Sequence, residues 1–456
     1  MTTTVGVSPG PVTAAPAVRR AGWRPRLDGA TTPARLRLLL ALLILLSLAW
    51  GVLAALTADQ HASAAADVVA VSEPLSLDAE QIYTSLSDAD ATAANAFLAG
   101  GLEPTKARQR YQADITEAAI RIEAASALVG SSAARTQLPG HLTKQASAAG
   151  TAVGDDLAIL SGQLPAYTDE VGTARADNRL GLPLGAAYLR EASGLLRGTL
   201  LPAASDIYTR ESTLLTSASA QATGLPLIVV AAIAGLGLGY VLFRSSRWLS
   251  QYTHRVVNYG LLLAALTGLV SLVWLVAAFV FGRGDLLHAQ QQGSAPAQAF
   301  ARAEVAALQA HADESLTLID NGGDDSYQKD YLAQQKLLGP GPGTLLAAVQ
   351  AGRPGSDVAA QARAWYQAHA ALRAKDDAGN HGAAVQSALS GDAATSFARL
   401  SATLSQGIND HQAVFAASAR SGRDAFTGLA VGMIVASLVM VGGCVWGLSR
   451  RLAEYR

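Results

Sequence analysis

Eight histidines, 35 carboxylates and one cysteine are the side chains with which this chain of 456 residues could run nucleophilic, acid–base or metal chemistry. Their spacing speaks against it. His61, His141, His254, His288, His311, His369, His381 and His411 make no HExxH and no i, i+4 pair, so no helix face presents two imidazoles to one ion. A lone Cys444 excludes a disulfide framework, a thiolate zinc site and a cysteine-ligated iron–sulfur cluster. The run Asp320-Asn-Gly-Gly-Asp324-Asp325 lacks the ligand pattern of a calcium loop and reads as a solvated turn. His411 falls on an apolar helical stripe, where the expected role is a satisfied core histidine. No Walker loop occurs, and no dinucleotide fingerprint follows a strand. The expectation is a protein that is not an enzyme, with no catalytic residue, cofactor, metal or nucleic-acid partner.

Polar residues suited to recognition gather in two places. Asp88 and Asp90 sit on a helix rich in small residues (Ala91, Ala93, Ala94, Ala96), and Glu103, Arg108 and Arg110 follow across the Gly100-Gly101 and Pro104 breakers. These five are the candidate partner- or ligand-binding residues, placed at one helix end and the start of the next. The alanines also have a plain role in close helix contact. The second group is Arg244, Arg247, Trp248, Tyr252 and Arg255, basic and aromatic residues suited to lipid headgroups or to docking a soluble cytoplasmic protein.

The elements that must position these groups follow from hydropathy. Charged residues make up 15% of the chain, against about 25% in soluble proteins, and the mean hydropathy is +0.24. Four uncharged runs are long enough to cross about 30 Å of hydrocarbon: 21 residues between Arg37 and Asp59, about Gly224 to Phe243, 27 between Arg255 and Arg283, and 25 between Asp424 and Arg450. The first exceeds a signal-peptide core and reads as an uncleaved anchor, although Ala62-Ser63-Ala64 would suit cleavage. Basic residues then set the orientation. The two ends and the short middle loop hold 12 basic residues and two acids; the two long segments hold 22 and 33, so +10 inside opposes −11 outside.

The expected plan is an all-α membrane protein with four transmembrane helices and two extracytoplasmic up-down helical bundles. A disordered basic cytoplasmic tail covers 1–37, with spans at 38–58, 224–243, 259–281 and 425–449. Bundles fill 59–223 and 282–424, a cytoplasmic loop 244–258, and a cytoplasmic tail 450–456. Stripes such as Tyr111, Ile115, Ala118, Ile122, Ala125 and Val129, or Phe397, Leu400, Leu404 and Ile408, carry helical periodicity and predict about four helices per bundle. The same order of elements occurs twice. GxxxG recurs in the closing span of each unit, at Gly235 and Gly239, Gly428 and Gly432, and Gly443 and Gly447, where it predicts close helix seams. A fainter echo pairs Ala89-Asp90 before Gly100-Gly101 with Ala312-Asp313 before Gly322-Gly323. The first and last helix of each outer segment are expected to run directly into a span, a geometry that passes helix movement across a membrane. The segment ending at Leu200 is expected to break at Pro202.

Asp, Glu, Lys, Arg and His are missing from all four runs, which speaks against coupled transport. The cytoplasmic segments are too short for a kinase core. The expected function is therefore a plasma-membrane sensor with both termini inside, relaying an outer signal to a separate inner protein. A static envelope scaffold and an oligomeric channel are the alternatives, and assembly with further copies is left open.

At Glu73-Pro74-Leu75, at Tyr83-Thr-Ser-Leu86-Ser-Asp88-Ala89-Asp90 through Phe97-Leu98-Ala-Gly100-Gly101-Leu-Glu103-Pro104, and at Arg110-Tyr111, the chain resembles GlnX-type membrane proteins of high-GC Gram-positive bacteria. The resemblance implies contact with an extracytoplasmic amino-acid-binding lipoprotein and relay to a cytoplasmic Ser/Thr kinase. A wider kinship is with the four-helix sensory bundles of chemoreceptors, whose HAMP and methylation segments are absent.

Overall fold

Apolar periodicity without strand-forming alternation dictates helices, and the computed structural model has no strand among its described residues. These are 32–135, 142–253 and 258–453 apart from 322, 324, 340 and 354–356. The tail 1–31, the break expected at Pro139-Gly140, and Arg255 lie outside them. The first unit comprises α1 (Thr32–Asp67), α2 (Glu73–Leu98), α3 (Thr105–Arg135), α4 (Leu142–Arg179), α5 (Leu184–Leu195), α6 (Leu201–Ala222) and α7 (Pro226–Thr253). The second comprises α8 (Tyr259–His288), α9 (Ala295–Asp320), α10 (Ser326–Leu338), α11 (Leu345–Gly352), α12 (Val358–Asp377), α13 (His381–Ser390), α14 (Asp392–Asp424) and α15 (Leu429–Ala453).

Prolines decide where the long helices stay whole. A proline inside a helix removes one hydrogen bond and crowds the carbonyl four residues back. Wide π turns at Val68–Ser72, Leu196–Leu200 and Ala289–Ser294 each end two residues before a proline: Pro74, Pro202 and Pro296. In all three the residue just before the proline donates its N–H five residues back, Glu73 to Val68, Leu201 to Leu196 and Ala295 to Gln290. The wide turn absorbs the ring, and the helix continues. Pro202 therefore does not break its helix, contrary to the expectation above. At Pro296 the freed carbonyl, that of Gln292, accepts from His411 Nδ1–H at 2.7 Å. His411 is thus a half-buried cap on a distorted turn rather than a core residue.

Closing helices behave differently. The direct run into a span holds for α1 into α2 and for α8 into α9, and fails for the other two. Thr223-Gly224-Leu225 separates α6 from α7, because the residue before Pro226 is biased away from helical geometry and proline suits a first helical position. A turn at Ala425 to Gly428, with Gly428 at φ 75°, separates α14 from α15.

Among the described residues four helices are long and apolar enough to cross a membrane, within α1, α7, α8 and α15. They form a ring in which α1 and α8 each touch α7 and α15 and face one another across the diagonal. Tryptophans repeat one contact in both units: Trp50 lies against Gly235 and donates Nε1–H to Ala231 O at 3.1 Å, and Trp274 lies against Gly432. Among the expected glycine seams, Gly443 and Gly447 do pack tightly, on Gly260 and Ala264 of α8. Gly239 has nothing within 4 Å of its Cβ position, and Gly428 serves the turn, so neither makes a seam.

Beyond the spans, α2 to α6 enclose one core around Ile82, Leu86, Leu160, Tyr167, Leu196 and Ile207. The helices α9 to α14 enclose a second around Phe300, Tyr331, Trp365, Leu400 and Leu404. Among the described residues the second has six helices rather than about four, with helix ends at Leu338, Gly352 and Asp377 before the glycine- and proline-rich sequence that follows each of the first two and before Gly379. The cores share a seam where α2 lies along α9: Leu316 of α9 belongs to the first core and Ala91 of α2 to the second. Where this seam meets the spans, the π turns of both units touch one cluster, Val68, Ala289, Phe415 and Ala419.

Candidate functional site

Helical spacing gathers polar side chains onto the seam. Glu80, Thr84 and Asp88 recur every fourth residue on one face of α2. Asp114 and Glu117 stand opposite on α3, Glu304 comes from α9, and Ser405, Asn409 and Gln412 come from α14. Together they line a polar cavity of about 240 Å³. Gln412 Nε2 donates to Glu80 Oε1 at 3.0 Å, and Ser401 and Ser405 donate to Glu304 Oε1. Arg110 grips Asp88 Oδ2 through Nε at 2.9 Å and Nη2 at 2.8 Å. Asp114 Oδ2 is buried without a hydrogen bond.

Of the five carboxyls around this cavity Glu80 and Glu304 are buried and Asp88, Asp114 and Glu117 are half-buried, with Arg110 paired to Asp88 and Arg121 to Glu117 at 2.7 Å. Burial pushes Glu80 up to about 8, helped by the charge of Glu304. It pushes Asp114 to about 7 with help from Asp88, and Glu304 to about 7 likewise. A carboxyl whose folded-state value is raised favours the fold while protonated, and that contribution is lost as pH rises towards the folded value. The thermal midpoint of detergent-solubilised protein is therefore expected to fall between about pH 5 and about pH 8. Glu314, which burial would raise but which the hydrogen bond with His369 and the nearby His311 hold down at about 2, contributes no slope in that window. Glu80→Gln is expected to raise the midpoint near pH 8 and leave it nearly unchanged near pH 5. A parallel shift at both would show that ionisation of Glu80 is not the cause.

A second cavity of about 450 Å³ adjoins the first and shares Asp88 and Ser405 with it. It is lined from α2, α3, α9, α13 and α14, with Lys106 and Arg110 on one side and His311 and Phe397 on another.

Of the five sequence candidates, only Asp88 and Arg110 reach these cavities. Asp90 is buried beside them in an ion triad: Arg197 Nε lies 3.4 Å from Asp90 Oδ2 and its Nη1 pairs with Asp313. Ser193 donates to Asp90 at 3.0 Å. Glu103 and Arg108 are elsewhere, paired at 2.9 Å at the tip between α2 and α3, with Arg175 at 3.2 Å from Glu103. The expected single cluster is thus three separate groups, because a helical turn of 100° per residue sends Asp88 and Asp90 to different faces. The echo of Asp90 in Asp313 does have a physical meaning: the two meet across the seam on one arginine.

At the other end of the spans Arg244 and Arg247 are exposed on α7 and Trp248 packs partly against the span core. The side chain of Tyr252 is outside the described residues, as is Arg255. Among the described residues no three His, Cys, Asp or Glu side chains converge as metal ligands would.

One side of the polar cavities comes from a segment that matches a known family. Residues 64–220 match the family model of an actinobacterial sensor domain. The match runs from the last turns of α1 to the end of α6, so it takes in α2 and α3 but not α9 or α14. No curated protein and no solved structure matches the chain. Together with four helices able to cross a membrane, the sensor-domain likeness supports a multi-pass membrane sensor.

Proposed function

We propose that the chain is a non-enzymatic plasma-membrane signal transducer. Both termini and the 244–258 loop lie in the cytoplasm, and the helices α2 to α6 and α9 to α14 lie outside. One observation carries the reading: α2 and α9, which form the seam, are unbroken continuations of α1 and α8, whereas α6 and α14 are separated from their spans by turns. A stimulus that shifts the seam therefore moves α1 and α8 against α7 and α15. The separation of +10 from −11 along the chain supports the orientation. Resemblance to GlnX-type proteins supports an amino-acid-binding lipoprotein as the outer partner and a Ser/Thr kinase as the inner one. Arg244, Arg247, Trp248, Tyr252 and Arg255 are the surface offered to that inner partner.

A coupling of 1–3 kcal/mol corresponds to a change of about fivefold or more in the equilibrium between two helix arrangements. Cysteine pairs placed between α1 and α7, in a Cys444→Ala background, are expected to change their oxidation rate by about that factor when cells move between amino-acid-rich and amino-acid-free medium. An unchanged rate would favour the static scaffold, which the interlocked cores also suit. Reporter fusions at Gly150 and Gln350 that faced the cell interior would overturn the orientation.

A further inference from the structure

Among the cavities, ion clusters and exposed patches of the molecule, the 450 Å³ cavity is the one whose walls specify an occupant. We propose that it binds a small organic carboxylate with an apolar body. The carboxylate rests on Lys106 and Arg110, and the body lies against Phe397 and the alanine walls. The proposal deepens the sensor reading by naming the chemical class of a ligand taken directly by the seam.

Space comes first. Ala91, Ala107, Ala388, Ala394, Ala398 and Ala402 face the cavity from four helices, and larger side chains there would fill it. Its volume lies within the range of small-molecule sites, about 300–1,000 Å³. The floor is rigid: His311 stacks on Phe397 with ring centroids 3.9 Å apart and lies 3.4 Å from Glu314, which His369 also contacts at 2.7 Å.

Charge gives the orientation. Three basic side chains, Lys106, Arg110 and His311, line this cavity against one carboxylate, Asp88, which is already engaged by Arg110. No carboxylate among the described residues pairs with Lys106, which is exposed at the rim. The adjoining cavity is lined by carboxyls, Glu80, Asp88, Asp114, Glu117 and Glu304, and by no basic side chain. An anion therefore finds counter-charge only on the Lys106 and Arg110 side. A bare inorganic anion would leave the alanine and phenylalanine walls wet, so an apolar body is part of the specification.

Occupancy also has a structural consequence. A ligand carboxylate competes with Asp88 for Arg110 and leaves Asp88 facing Asp114 and Glu304 without its counter-charge. Because α2 and α3 supply one side of the cavity and α9, α13 and α14 the other, ligand contact bears on the seam itself.

The test uses the full chain in lipid nanodiscs and ligand-observed NMR with phenylacetate and hexanoate. Saturable binding with a Kd of about 1 mM or tighter is expected, and the matching amides and inorganic phosphate should bind at least about tenfold more weakly. Lys106→Met, at an exposed residue, is expected to weaken binding about tenfold, and Ala394→Leu to abolish it by filling the space, both with unchanged circular dichroism. The proposal is overturned by amides binding as well as the acids, by phosphate competing equally, by full binding in Ala394→Leu, or by absence of saturable binding of both acids. Preference for benzylamine would also overturn it and move the ligand site to the acidic cavity. Failure here leaves the cross-linking response to amino-acid supply intact, whereas loss of that response with binding retained would fault the transducer reading instead.

Discussion

Replacing Arg197 with methionine is expected to destabilise the folded chain by about 3–5 kcal/mol, since removing one partner of a buried ion group leaves the other charges uncompensated. Arg197 reaches from the π turn of the α5 to α6 helix to Asp90 on α2 and Asp313 on α9. Both carboxylates are buried, and burial already raises Asp90 and pushes Asp313 to about 6 despite the arginine. Without the guanidinium both carboxyls must take up protons, stay ionised in a poor solvent, or let the seam open to water, and each course costs stability. The measurement is thermal and denaturant unfolding of the solubilised protein. Adding Asp90→Asn and Asp313→Asn to Arg197→Met should recover more than half of the loss, because neutral amides tolerate the site where unpaired anions do not. A single mutant as stable as the parent would mean that the triad holds nothing together. A triple mutant no better than the single would assign the loss to the packing of the arginine stem rather than to charge.

That triad marks how far the sequence was legible. Uncharged runs and arginine placement gave four helices able to span a membrane, since hydrocarbon admits few alternatives. Stripes such as Tyr111, Ile122 and Ala125 pointed inward as their spacing implied. Breaks were harder, because a proline both ends and interrupts helices. The three prolines that follow π turns leave their helices whole, as does Pro165 inside α4 without one, while Pro226 begins a new helix. The candidate site was legible only in Asp88 and Arg110. Glu80 and Asp114 could have been found from the i, i+4 rows through those residues. Glu304, His311 and Arg197 could not, because they arrive from helices more than 80 residues away, and their meeting depends on how α9 and α5 settle against α2.

The settling of α2 on α9 has a counterpart in the spans, where the repeated tryptophan contacts tie each opening helix to its closing neighbour. Trp50 lies on Gly235 within the first unit and Trp274 on Gly432 within the second. Contacts between units are made by small residues: Ser437 Oγ–H of α15 donates to Ser47 O of α1 at 3.0 Å, and Gly51 faces Ser437. The glycine junction of α8 with α15 sets backbone against backbone, and it lies at the end of the spans nearest the 244–258 loop.

Gly260→Leu is accordingly expected to cost about 3 kcal/mol by separating α8 from α15, at the upper end for overpacking because the obstructing atoms are backbone. A Cβ at Gly260 would run into the backbone of Gly447 and the carbonyl of Gly443, and one at Gly443 would lie 2.7 Å from Gly260 O. Neither helix can yield by turning a side chain. The same approach positions Asn258, which accepts from Gly260 N at 3.1 Å to cap α8 and donates Nδ2–H to Gly447 O at 3.0 Å. Separation therefore also opens the cap and one interhelical hydrogen bond, in surroundings where lipid supplies no replacement and no hydrophobic force restores the pair. Thermal unfolding in micelles, together with oxidation of a cysteine pair across α8 and α15, measures both effects. Gly239→Ala is the control: its Cβ enters open space, and alanine favours the helix by up to about 1 kcal/mol, so its stability should be equal or slightly higher. Equal melting of Gly260→Leu and the parent would show that the two helices do not meet there in the membrane.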